Sequence, residues 1–572
     1  MRKLTFLLLI ALITVLSACK NVKYTTVSAP AEARSRDVLS RMTFEEKLKL
    51  TGGNEMLAPG VERLGLREAQ MADASQGIRL HHPSENTNAN IEQVTGISGD
   101  NVVSVSFPGM MALAATWNTG LANDFGAAMG EQCRALGIDI LLGPGINMYR
   151  TSAGGRAYEY MGEDPLLASG TVVEYIKGVQ SKGIVATAKH FVCNDVEFCR
   201  HFASSEVDIR TLREVYLPPF HAAVKDANVW GFMTGNNRVN GLPAPIHKPL
   251  MQDIVRDEWG FKGMTMSDWQ QTNYYKHHHD LVLESGHSLY MPQGKNFQDW
   301  LTDHYKKQTP KQQKVLEKQL DEMVVHNLIP LFESGFFDRA KTEPAYSPIF
   351  DNHRKVAQKT AEEAITLLKN ENQILPIKKG AKILYIGEKE VFTGSGSGKV
   401  IGYNNTSYVK GLQGVYGADF TAMDFAKVTN EDYKKADVVI LNVNKDGGEG
   451  YDFPFNLEEK QTKEIETVLD AHPNVVLLLT ANNGFNMPWI SKAKGILWCY
   501  FLGQERGFAL ADIISGKANP SGKLPMTIEK DFSESVDPEF NYIAGKPFWI
   551  GHNVYREYIV DGIIPEKDQR NY

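Results

Sequence analysis

Cysteine is scarce in this 572-residue sequence, which has five. Such a low number cannot form the disulfide framework that holds small secreted domains together. Cys193 and Cys199 are close in sequence, but no His or Cys pattern around them has the spacing of a zinc site. We expect the cysteines after Cys19 to be buried free thiols.

The sequence also has no excess of basic residues. Lys and Arg number 61 against 68 Asp and Glu, which gives a formal net charge of −7 without any basic block. Nucleic acid is therefore not an expected partner. Beyond the N-terminus, no apolar run approaches the roughly 20 residues of a membrane-spanning helix. The 42% hydrophobic and 23% charged residues are typical of a globular protein, and the length predicts two or three domains.

The N-terminus has the pattern of an export signal. Arg2 and Lys3 precede an apolar run over 4–16, and the run ends in Leu16-Ser17-Ala18-Cys19. Small residues before a cysteine resemble the lipobox of bacterial lipoproteins. The resemblance implies a signal peptide over 1–19, lipidation of Cys19, a tether over 20–35 and a body held at the cell envelope by lipid alone. An ordinary secretory signal, with Cys19 incidental, is the alternative.

Short apolar runs alternate with helix-period segments from residue 36 to 335. Thr43 and Glu46 form a capping box that predicts the start of the first helix. Repeated strand–helix units over such a length favour a (β/α)8-type TIM barrel, whose reactive face lies at the carboxyl ends of the strands. The strand-like runs are 138–142, 184–188, 229–233, 263–266 and 288–291.

Residues 336–352 lose this periodicity and are interpreted as a linker. A second alternating region, 353–535, contains nearly continuous apolar runs, which are typical of buried parallel strands. We therefore expect a doubly wound α/β sandwich domain there, followed by a C-terminal segment over 536–572. The apolar runs of the second region are 382–386, 438–443, 475–479 and 495–500.

Two carboxylates have the positions that glycoside hydrolysis needs. A retaining enzyme uses one ionised carboxylate as nucleophile and a second, protonated carboxyl group for the leaving group. Asp268 follows the strand-like run 263–266, and the indole of Trp269 beside it suits the apolar face of a sugar ring. Glu449 lies on a glycine-rich loop after a strand of the second region, where a solvated acidic turn is the alternative interpretation.

Further polar side chains follow other predicted strands. Each of them alone is ordinary, but several at the same end of successive strand–helix units indicate a site that grips sugar hydroxyls. The residues concerned are Asp73, Arg156, Lys189 and His190.

Two other patterns do not indicate ligands. The glycine-rich run 394–400 differs from the phosphate-binding loop of nucleotide-binding proteins, because Thr393 and Val400 occupy the required Gly and Ser/Thr positions. The histidines at 277–279 are adjacent and cannot converge on one metal ion from a helix. We interpret them as part of a solvated face or as a weak adventitious metal site.

In these motifs the chain resembles family 3 of the glycoside hydrolases, a group of exo-acting β-glucosidases and their relatives. The resemblance runs from about residue 35 to 556 and implies hydrolysis of terminal non-reducing sugars from oligosaccharides or glycosides, without a metal or organic cofactor. The most specific segments are Gly154-Gly155-Arg156, Glu163-Asp164-Pro165, Lys189-His190-Phe191, Ser267-Asp268-Trp269 and Asn519-Pro520-Ser521-Gly522-Lys523-Leu524-Pro525.

The resemblance also implies roles. Asp268 matches the nucleophile and Glu449 the acid/base of a retaining mechanism. Glu449, near an anionic partner, is expected to have a raised pKa and to keep its proton, whereas Arg156 and Lys189 would keep Asp268 ionised. The residues that match sugar-holding positions are Asp73, Arg156, Lys189 and His190, with Trp269 at the border of the pocket.

The chain departs from the family pattern at several positions. Asn236 replaces the tyrosine that normally contacts the nucleophile, Phe453 replaces an arginine after the acid loop, and Ser75 replaces a proline. The segment that usually continues into a fibronectin-like domain is also not present. Three hypotheses remain open: a β-glucosidase-like enzyme, the same mechanism on xylose, arabinose or galactose, and a non-catalytic glycan-binding lipoprotein. The sequence does not indicate an oligomeric state.

Overall fold

The structure is a computed structural model that describes most of the chain. The predicted signal peptide with Cys19 and the predicted C-terminal segment 536–572 lie outside the described residues. These residues divide into two compact units, the first comprising 23–71, 230–234 and 245–341 and the second the remainder. The described residues are 23–73, 75–79, 104–197, 199–201, 203–269, 271, 278–343, 345–346, 350–387 and 394–535.

Strands and helices alternate along the described chain. The strands are β1 Leu57–Ala58, β2 Ala69–Asp73, β3 Ile140–Leu142, β4 Val185–Phe191, β5 Ser204–Ser205, β6 Gly231–Thr234, β7 Arg238–Val239, β8 Leu242–Pro243, β9 Met264–Met266, β10 Thr366–Asn370, β11 Ile383–Ile386, β12 Phe420–Met423, β13 Val438–Asn444, β14 Val475–Thr480 and β15 Gly495–Trp498. Besides short 3₁₀ helices and a π-helix over Leu212–Tyr216, the helices are α1 Ala31–Leu39, α2 Phe44–Lys49, α3 Met110–Ala115, α4 Thr119–Leu136, α5 Pro165–Gln180, α6 Ile209–Thr211, α7 Pro218–Lys225, α8 Pro249–Glu258 (π-helical), α9 His279–Ser285, α10 Lys295–Lys306, α11 Pro310–Glu333, α12 Phe350–Ala364, α13 Tyr408–Tyr416, α14 Asn430–Lys435, α15 Glu459–Ala471 and α16 Arg506–Ile514.

Helices α1 and α2 belong to the packed core of the first unit. The capping box predicted at Thr43 is present, because its side chain accepts from the Glu46 amide while the Glu46 side chain accepts from the Thr43 amide. Residues 31–35 of the predicted tether form the start of α1. Within that helix, buried Arg34 donates two hydrogen bonds of 2.7 Å to Asp338.

The strand that precedes Asp268 is paired and firmly held. Strands β6 and β9 are parallel, with Phe232 opposite Thr265. Buried Arg256 of α8 donates to the carbonyl of Gly263 at 2.7 Å and to the Thr265 hydroxyl at 3.0 Å. Burial lowers the pKa of Arg256 to about 9, so the guanidinium remains charged at neutral pH. This arginine fixes the beginning and the middle of the strand that leads to Asp268.

The histidines at 278 and 279 correct one expectation. His277 lies outside the described residues, but His279 is buried rather than solvated. Its ring centroid lies 5.8 Å from that of Phe297 and 5.6 Å from that of Trp300. His279 is therefore a core residue, because the first turn of α9 faces an aromatic cluster.

The N-terminal part of the second unit is a layer of parallel strands and long helices. Strands β3 and β4 are parallel, with Ile140 opposite Val185. Helices α4 and α5 pack closely through glycine: a Cβ at Gly126 would stand 2.1 Å from the carbonyl oxygen of Tyr175. Helix α5 packs against β4, which is buried along its whole length.

The C-terminal part of the second unit is a six-stranded sheet in the order β10-β15-β14-β13-β11-β12. All neighbours are parallel except β10, which runs antiparallel to β15. The four strands expected from apolar runs are present as β11, β13, β14 and β15, and β13 and β14 are almost entirely buried. The edge strands β10 and β12 were not predicted, because neither is a continuous buried apolar run: most of β10 is half-buried, and β12 exposes Thr421 and Ala422. Helix α12 begins at Phe350, inside the predicted linker.

The described residues also show the state of the cysteines, of possible metal-ligand groups and of the longer helices. The four cysteines among the described residues, at 133, 193, 199 and 499, are free and buried, as predicted. In the same part of the chain, no group of three His, Cys, Asp or Glu side chains is arranged to hold a metal ion. No described helix combines the length and apolarity of a membrane span.

Candidate active site

Asp268 lies directly after β9, in the first unit, where the sequence predicted it. Its carboxylate oxygen Oδ1 accepts a hydrogen bond of 2.6 Å from the Trp269 amide. The amide of Asp268 donates to Oε1 of Gln271 at 3.3 Å, and the same oxygen accepts from the hydroxyl of Thr234, at the end of β6, at 2.8 Å. Asp268 is buried and Trp269 half-buried, so the loop presents a carboxylate beside an accessible indole.

In the second unit, Arg156 is held by a carboxylate that sequence reasoning did not select. Both Arg156 and Glu159 are buried. The Nε and Nη2 atoms of Arg156 donate to the two oxygens of Glu159 at 3.1 and 2.7 Å. The ammonium of Lys189 lies 4.0 Å from the same carboxylate. Glu159 therefore supplies the negative charge for two predicted sugar-binding cations, and its position three residues after Arg156 was the available signal.

Lys189 and His190 both lie near the carboxyl end of strand β4. The amide of His190 donates to Asn147 Oδ1 at 2.8 Å, and Asn147 Nδ2 donates back to the carbonyl of His190 at 2.8 Å. Burial, together with the charges of Arg156 and Lys189, holds the pKa of His190 well below its usual range. The imidazole is therefore neutral at pH 7 and suited to hydrogen bonding with hydroxyl groups.

Asp73 is the last residue of β2 and is half-buried. Burial raises the pKa of its carboxyl group, and the positive charge of Lys189 opposes this effect. The negative charges of Glu449 and Glu159 add to the rise. Asp73 thus shares the electrostatic surroundings of the other predicted sugar-binding residues of this unit.

Glu449 lies on the loop that follows β13, and two hydrogen-bond donors and a second guanidinium group surround its carboxylate. Oε1 accepts from Nη2 of Arg200 at 2.7 Å and lies 3.5 Å from Nη1 of Arg156. Oε2 accepts from the amide of Ser397 at 2.7 Å. Arg156 was predicted from the sequence as a site residue, whereas Arg200 and Ser397 were not. All three lie beside this carboxylate.

These donors overturn the expected charge state of Glu449. Burial alone raises the pKa of its carboxyl group, but Arg156, Arg200 and the hydrogen bonds from Ser397 together hold the pKa well below its usual range. The prediction of a raised pKa is wrong for this arrangement, because two guanidinium groups rather than an anion are the nearest charges. Without a bound sugar, Glu449 is ionised at neutral pH.

The glycine-rich run 394–400 packs against Glu449. Ser395 and Gly448 form a parallel bridge, and the Glu449 amide donates to the carbonyl of Ser395 at 3.3 Å. Gly396 has φ +79°, and a Cβ at this position would stand 2.4 Å from the Cβ of Glu449. The glycines allow two backbone segments to approach the Glu449 side chain closely.

Asp452 joins three segments of the second unit. Its Oδ1 accepts from the amides of Gly155 and Glu197, both at 2.9 Å. Phe453 anchors the loop through its backbone, because its amide donates to the carbonyl of Ala153 at 2.8 Å. The loop of Glu449 is thus tied to the turn of Arg156 by Asp452 and by the backbone of Phe453, and the side chain of Phe453 is not needed for this attachment.

Asn236 is buried in the second unit and is hydrogen-bonded to His201. Burial lowers the pKa of His201 to about 3, so this partner is neutral at pH 7. The neighbouring Asn237 is fixed by hydrogen bonds from its Nδ2 to the carbonyls of Val192 and Cys193, at 3.1 and 3.0 Å. Asn236 therefore projects from a rigid turn.

Comparisons with known proteins agree with this architecture. The Glycosyl hydrolase family 3 N terminal domain matches residues 67–327, and the Glycosyl hydrolase family 3 C-terminal domain matches residues 365–559. Beta-glucosidase BoGH3A of Bacteroides ovatus is 31% identical, over 95% of this chain and 76% of the relative. An exo-alpha-(1->6)-L-arabinopyranosidase of Bifidobacterium breve is 33% identical, over 91% of this chain and 69% of the relative.

Solved structures extend the match to three dimensions. Beta-glucosidase 3B from Thermotoga neapolitana, in complex with alpha-D-glucose, has a TM-score of 0.80 at 29% identity and covers 93% of this chain and 82% of its own. The predicted fold class, a TIM barrel followed by a doubly wound α/β sandwich, is confirmed. On these grounds the chain is a glycosyl hydrolase and belongs to glycosyl hydrolase family 3.

Proposed function

We propose that this protein is a retaining exo-β-glycosidase that removes terminal non-reducing sugars from oligosaccharides or glycosides. The observation that carries the proposal is the position of Arg156 between two carboxylates, buried Glu159 and Glu449, with the ammonium of Lys189 beside Glu159. A carboxylate held by arginines and accompanied by hydroxyl-binding groups suits a site for a sugar next to a general acid/base. Asp268, at the end of β9, is the proposed nucleophile.

The proposed reaction has two steps. In the first, Asp268 attacks the anomeric carbon while the carboxyl proton of Glu449 passes to the departing oxygen, which leaves a glycosyl-enzyme ester. In the second, Glu449 takes a proton from water as that water attacks the same carbon and Asp268 departs. The ionised Glu449 of the ligand-free protein suits the second step, whereas the first requires protonation.

Sugar binding offers a physical route to that protonation. Arg156 and Arg200 hold the anionic form of Glu449 in the ligand-free protein. Sugar hydroxyls that accept hydrogen bonds from these guanidinium groups would weaken their hold on the carboxylate. Burial beneath the sugar would then dominate and raise the pKa of Glu449. The acid would in this way be formed only when a substrate is present.

A β-glucoside is the substrate that we favour. The relatives named above include beta-glucosidases, and the residues at the sugar-holding positions Asp73, Arg156, Lys189 and His190 are all present. Asn236 favours a second candidate, in which the same mechanism acts on xylose, arabinose or galactose, because the exchange of tyrosine for asparagine changes the space and hydrogen bonding beside the sugar. The arabinopyranosidase relative is consistent with this candidate.

A panel of 4-nitrophenyl glycosides tests the proposal. Wild-type protein should release 4-nitrophenol, and proton NMR of the first product should show retained anomeric configuration. A preference for the glucoside above about tenfold in kcat/KM, or roughly 1.4 kcal/mol, would exclude the second candidate. The variant Asn236→Tyr should shift that preference. A folded protein that binds oligosaccharides and leaves them all uncleaved would instead support the non-catalytic glycan-binding hypothesis.

We also propose that Cys19 is lipidated and that the protein is held at the cell envelope through this anchor alone. The proposal rests on the lipobox-like pattern Leu16-Ser17-Ala18-Cys19. When the protein is expressed in a bacterial host that is supplied with an alkyne-tagged fatty acid, the wild type should carry the label and be found in the membrane fraction. The variant Cys19→Ser should lose the label; equal labelling of both would exclude the anchor.

A further inference from the structure

Arg200 contacts two carboxylates at once. Its Nη1 lies 2.6 Å from Oε2 of Glu197, and its Nη2 lies 2.7 Å from Oε1 of Glu449. The side chain of Glu197 is almost fully buried, whereas those of Arg200 and Glu449 are 15% and 19% exposed. A guanidinium that is shared between two anions holds each of them less strongly than it would hold one.

Glu197 also contacts the backbone next to Glu449. Its Oε2 accepts from the amide of Gly450 at 2.8 Å, and its own amide donates to both oxygens of Asp452, at 2.9 and 3.0 Å. These hydrogen bonds fix the segment that carries Arg200 to the loop that carries Glu449, at Gly450 and at Asp452. Glu197 is the residue common to the ion pair and to the backbone attachment.

The second arginine at Glu449 has an equivalent counter-ion. Arg156 is paired through two hydrogen bonds with Glu159, and its Nη1 has no hydrogen-bond partner while it lies 3.5 Å from Glu449. Each guanidinium beside Glu449 is therefore neutralised in part by a buried glutamate, Glu159 or Glu197. Of the two glutamates, Glu197 is bonded to the arginine in closer contact with Glu449.

We infer that Glu197 is a positioning residue for the proposed acid. Glu197 divides the charge of Arg200 between two carboxylates, so that Glu449 can take up a proton when substrate binds. The inference rests on the proposed function, since it assigns a partner to the acid/base. It requires Glu197 to be ionised in its pair with Arg200, although burial raises its pKa. The groups that act electrostatically on Glu449 or respond to its charge are Arg156, Arg200, Glu197, Asp73, His190, His201 and Tyr158.

The variant Glu197→Gln tests this role, because an amide keeps an acceptor for the Gly450 amide and removes the charge. Arg200 would then act on Glu449 alone, so the acid should lose its proton at lower pH. The alkaline limb of kcat on an alkyl β-glycoside, which reports the pKa of Glu449 in the substrate complex, should move down by about one pH unit. On a 2,4-dinitrophenyl glycoside, whose leaving group needs no proton, the loss should be smaller than threefold. Equal losses on both substrates with an unmoved limb would overturn the inference.

Two further variants keep the test decisive. Arg200→Gln should move the alkaline limb to higher pH, and adding Glu197→Gln to that variant should cause no further shift; an undiminished shift in the double variant would contradict action through Arg200. Glu505→Gln is the matched control, because Glu505 is buried and paired with Arg354 through a contact of 2.5 Å in another part of the second unit. Its pH profile should match that of the wild type.

Failure of the proposed function gives a different result. In that case the wild type would hydrolyse no glycoside, or Glu449→Ala would leave the activity on an alkyl glycoside intact. A different outcome is a wild type that is active and dependent on Glu449, together with a Glu197→Gln variant that loses activity equally on both substrates and keeps its alkaline limb. In that case only the inferred role of Glu197 is refuted. Circular dichroism and the thermal midpoint of each variant establish that a loss does not result from misfolding.

Discussion

Gly396 lies against the side chain of Glu449, so closely that a Cβ on Gly396 would stand 2.4 Å from the Cβ of Glu449 and 2.8 Å from its Oε2. A contact of this length forces one group to move. Gly396 belongs to the glycine-rich run 394–400, which has the composition but not the spacing of a phosphate-binding loop. In the folded chain, the absence of a side chain at 396 makes room for the proposed acid/base.

The variant Gly396→Ala should displace Glu449. We expect kcat on an alkyl β-glycoside to fall by about a hundredfold, since a shift of about 1 Å in a reacting group has an effect of this size. Gly380→Ala is the control: Gly380 also has a positive φ, +89°, but a Cβ there would meet nothing within 4 Å. Both variants should lose about 1 kcal/mol of stability from backbone strain, and only Gly396→Ala should lose activity. Equal activities would contradict the assigned contact.

Replacement of the two proposed catalytic carboxylates should give different kinetic signatures. Asp268→Ala should abolish turnover of every glycoside. Glu449→Ala should slow hydrolysis of unactivated glycosides by about 10²–10⁴-fold, because general acid catalysis contributes that much. With activated aryl glycosides, only the second step should be slowed, because the glycosyl-enzyme still forms but the base that activates water is lost. Azide should restore turnover of the activated substrate by Glu449→Ala and yield a glycosyl azide. Unchanged activity of Glu449→Ala on an alkyl glycoside would exclude the acid role.

Buried His287 should make the protein less stable in acid. Burial and the charge of Arg256 lower the pKa of His287 from 6.5 to about 3, so the folded protein favours the neutral imidazole. The unfolded chain binds the proton more tightly. The stability from His287 is therefore fully present above about pH 6.5 and is lost as the pH falls towards about 3.

The thermal midpoint measured from pH 7 to pH 4 tests this expectation. The slope should be smaller in His287→Gln, which cannot be protonated. His221→Gln, at an exposed position of α7, serves as control and should keep the slope of the wild type. A His287→Gln protein with an unchanged slope would show that another group carries the acid sensitivity.

Arg256→Lys should destabilise the first unit despite the conserved charge. A lysine cannot span the acceptors of Arg256, which include the carbonyls of Phe261, Gly263 and Gly286 and the hydroxyl of Thr265. Buried acceptors left without a donor cost about 1–3 kcal/mol each, so we expect a loss of about 3 kcal/mol or more in urea unfolding. Arg210→Lys, at an exposed ion pair with Glu214, should change stability by about 0.5 kcal/mol or less. Similar losses in the two variants would refute this explanation.

The sequence predicted the placement of Asp268 and Glu449 after strands but not the residues that surround Glu449. Glu197 and Arg200 are three positions apart in an unremarkable loop, and Arg200 is 249 positions from Glu449. Pairs at that separation leave no local pattern. Ser397 escaped selection for a different reason: it contacts Glu449 through its backbone amide, which every residue other than proline possesses.

The sequence by itself determined the family, the order of the two kinds of α/β region and the positions of the two candidate carboxylates. These follow from hydrophobic periodicity and from motifs that are local, so neighbouring residues are sufficient to specify them. Only the tertiary structure decided that Glu449 is ionised in the ligand-free protein. A pKa depends on burial and on the distances to charges, and the fold brings Arg156 and Arg200 to the same carboxylate oxygen from distant parts of the chain.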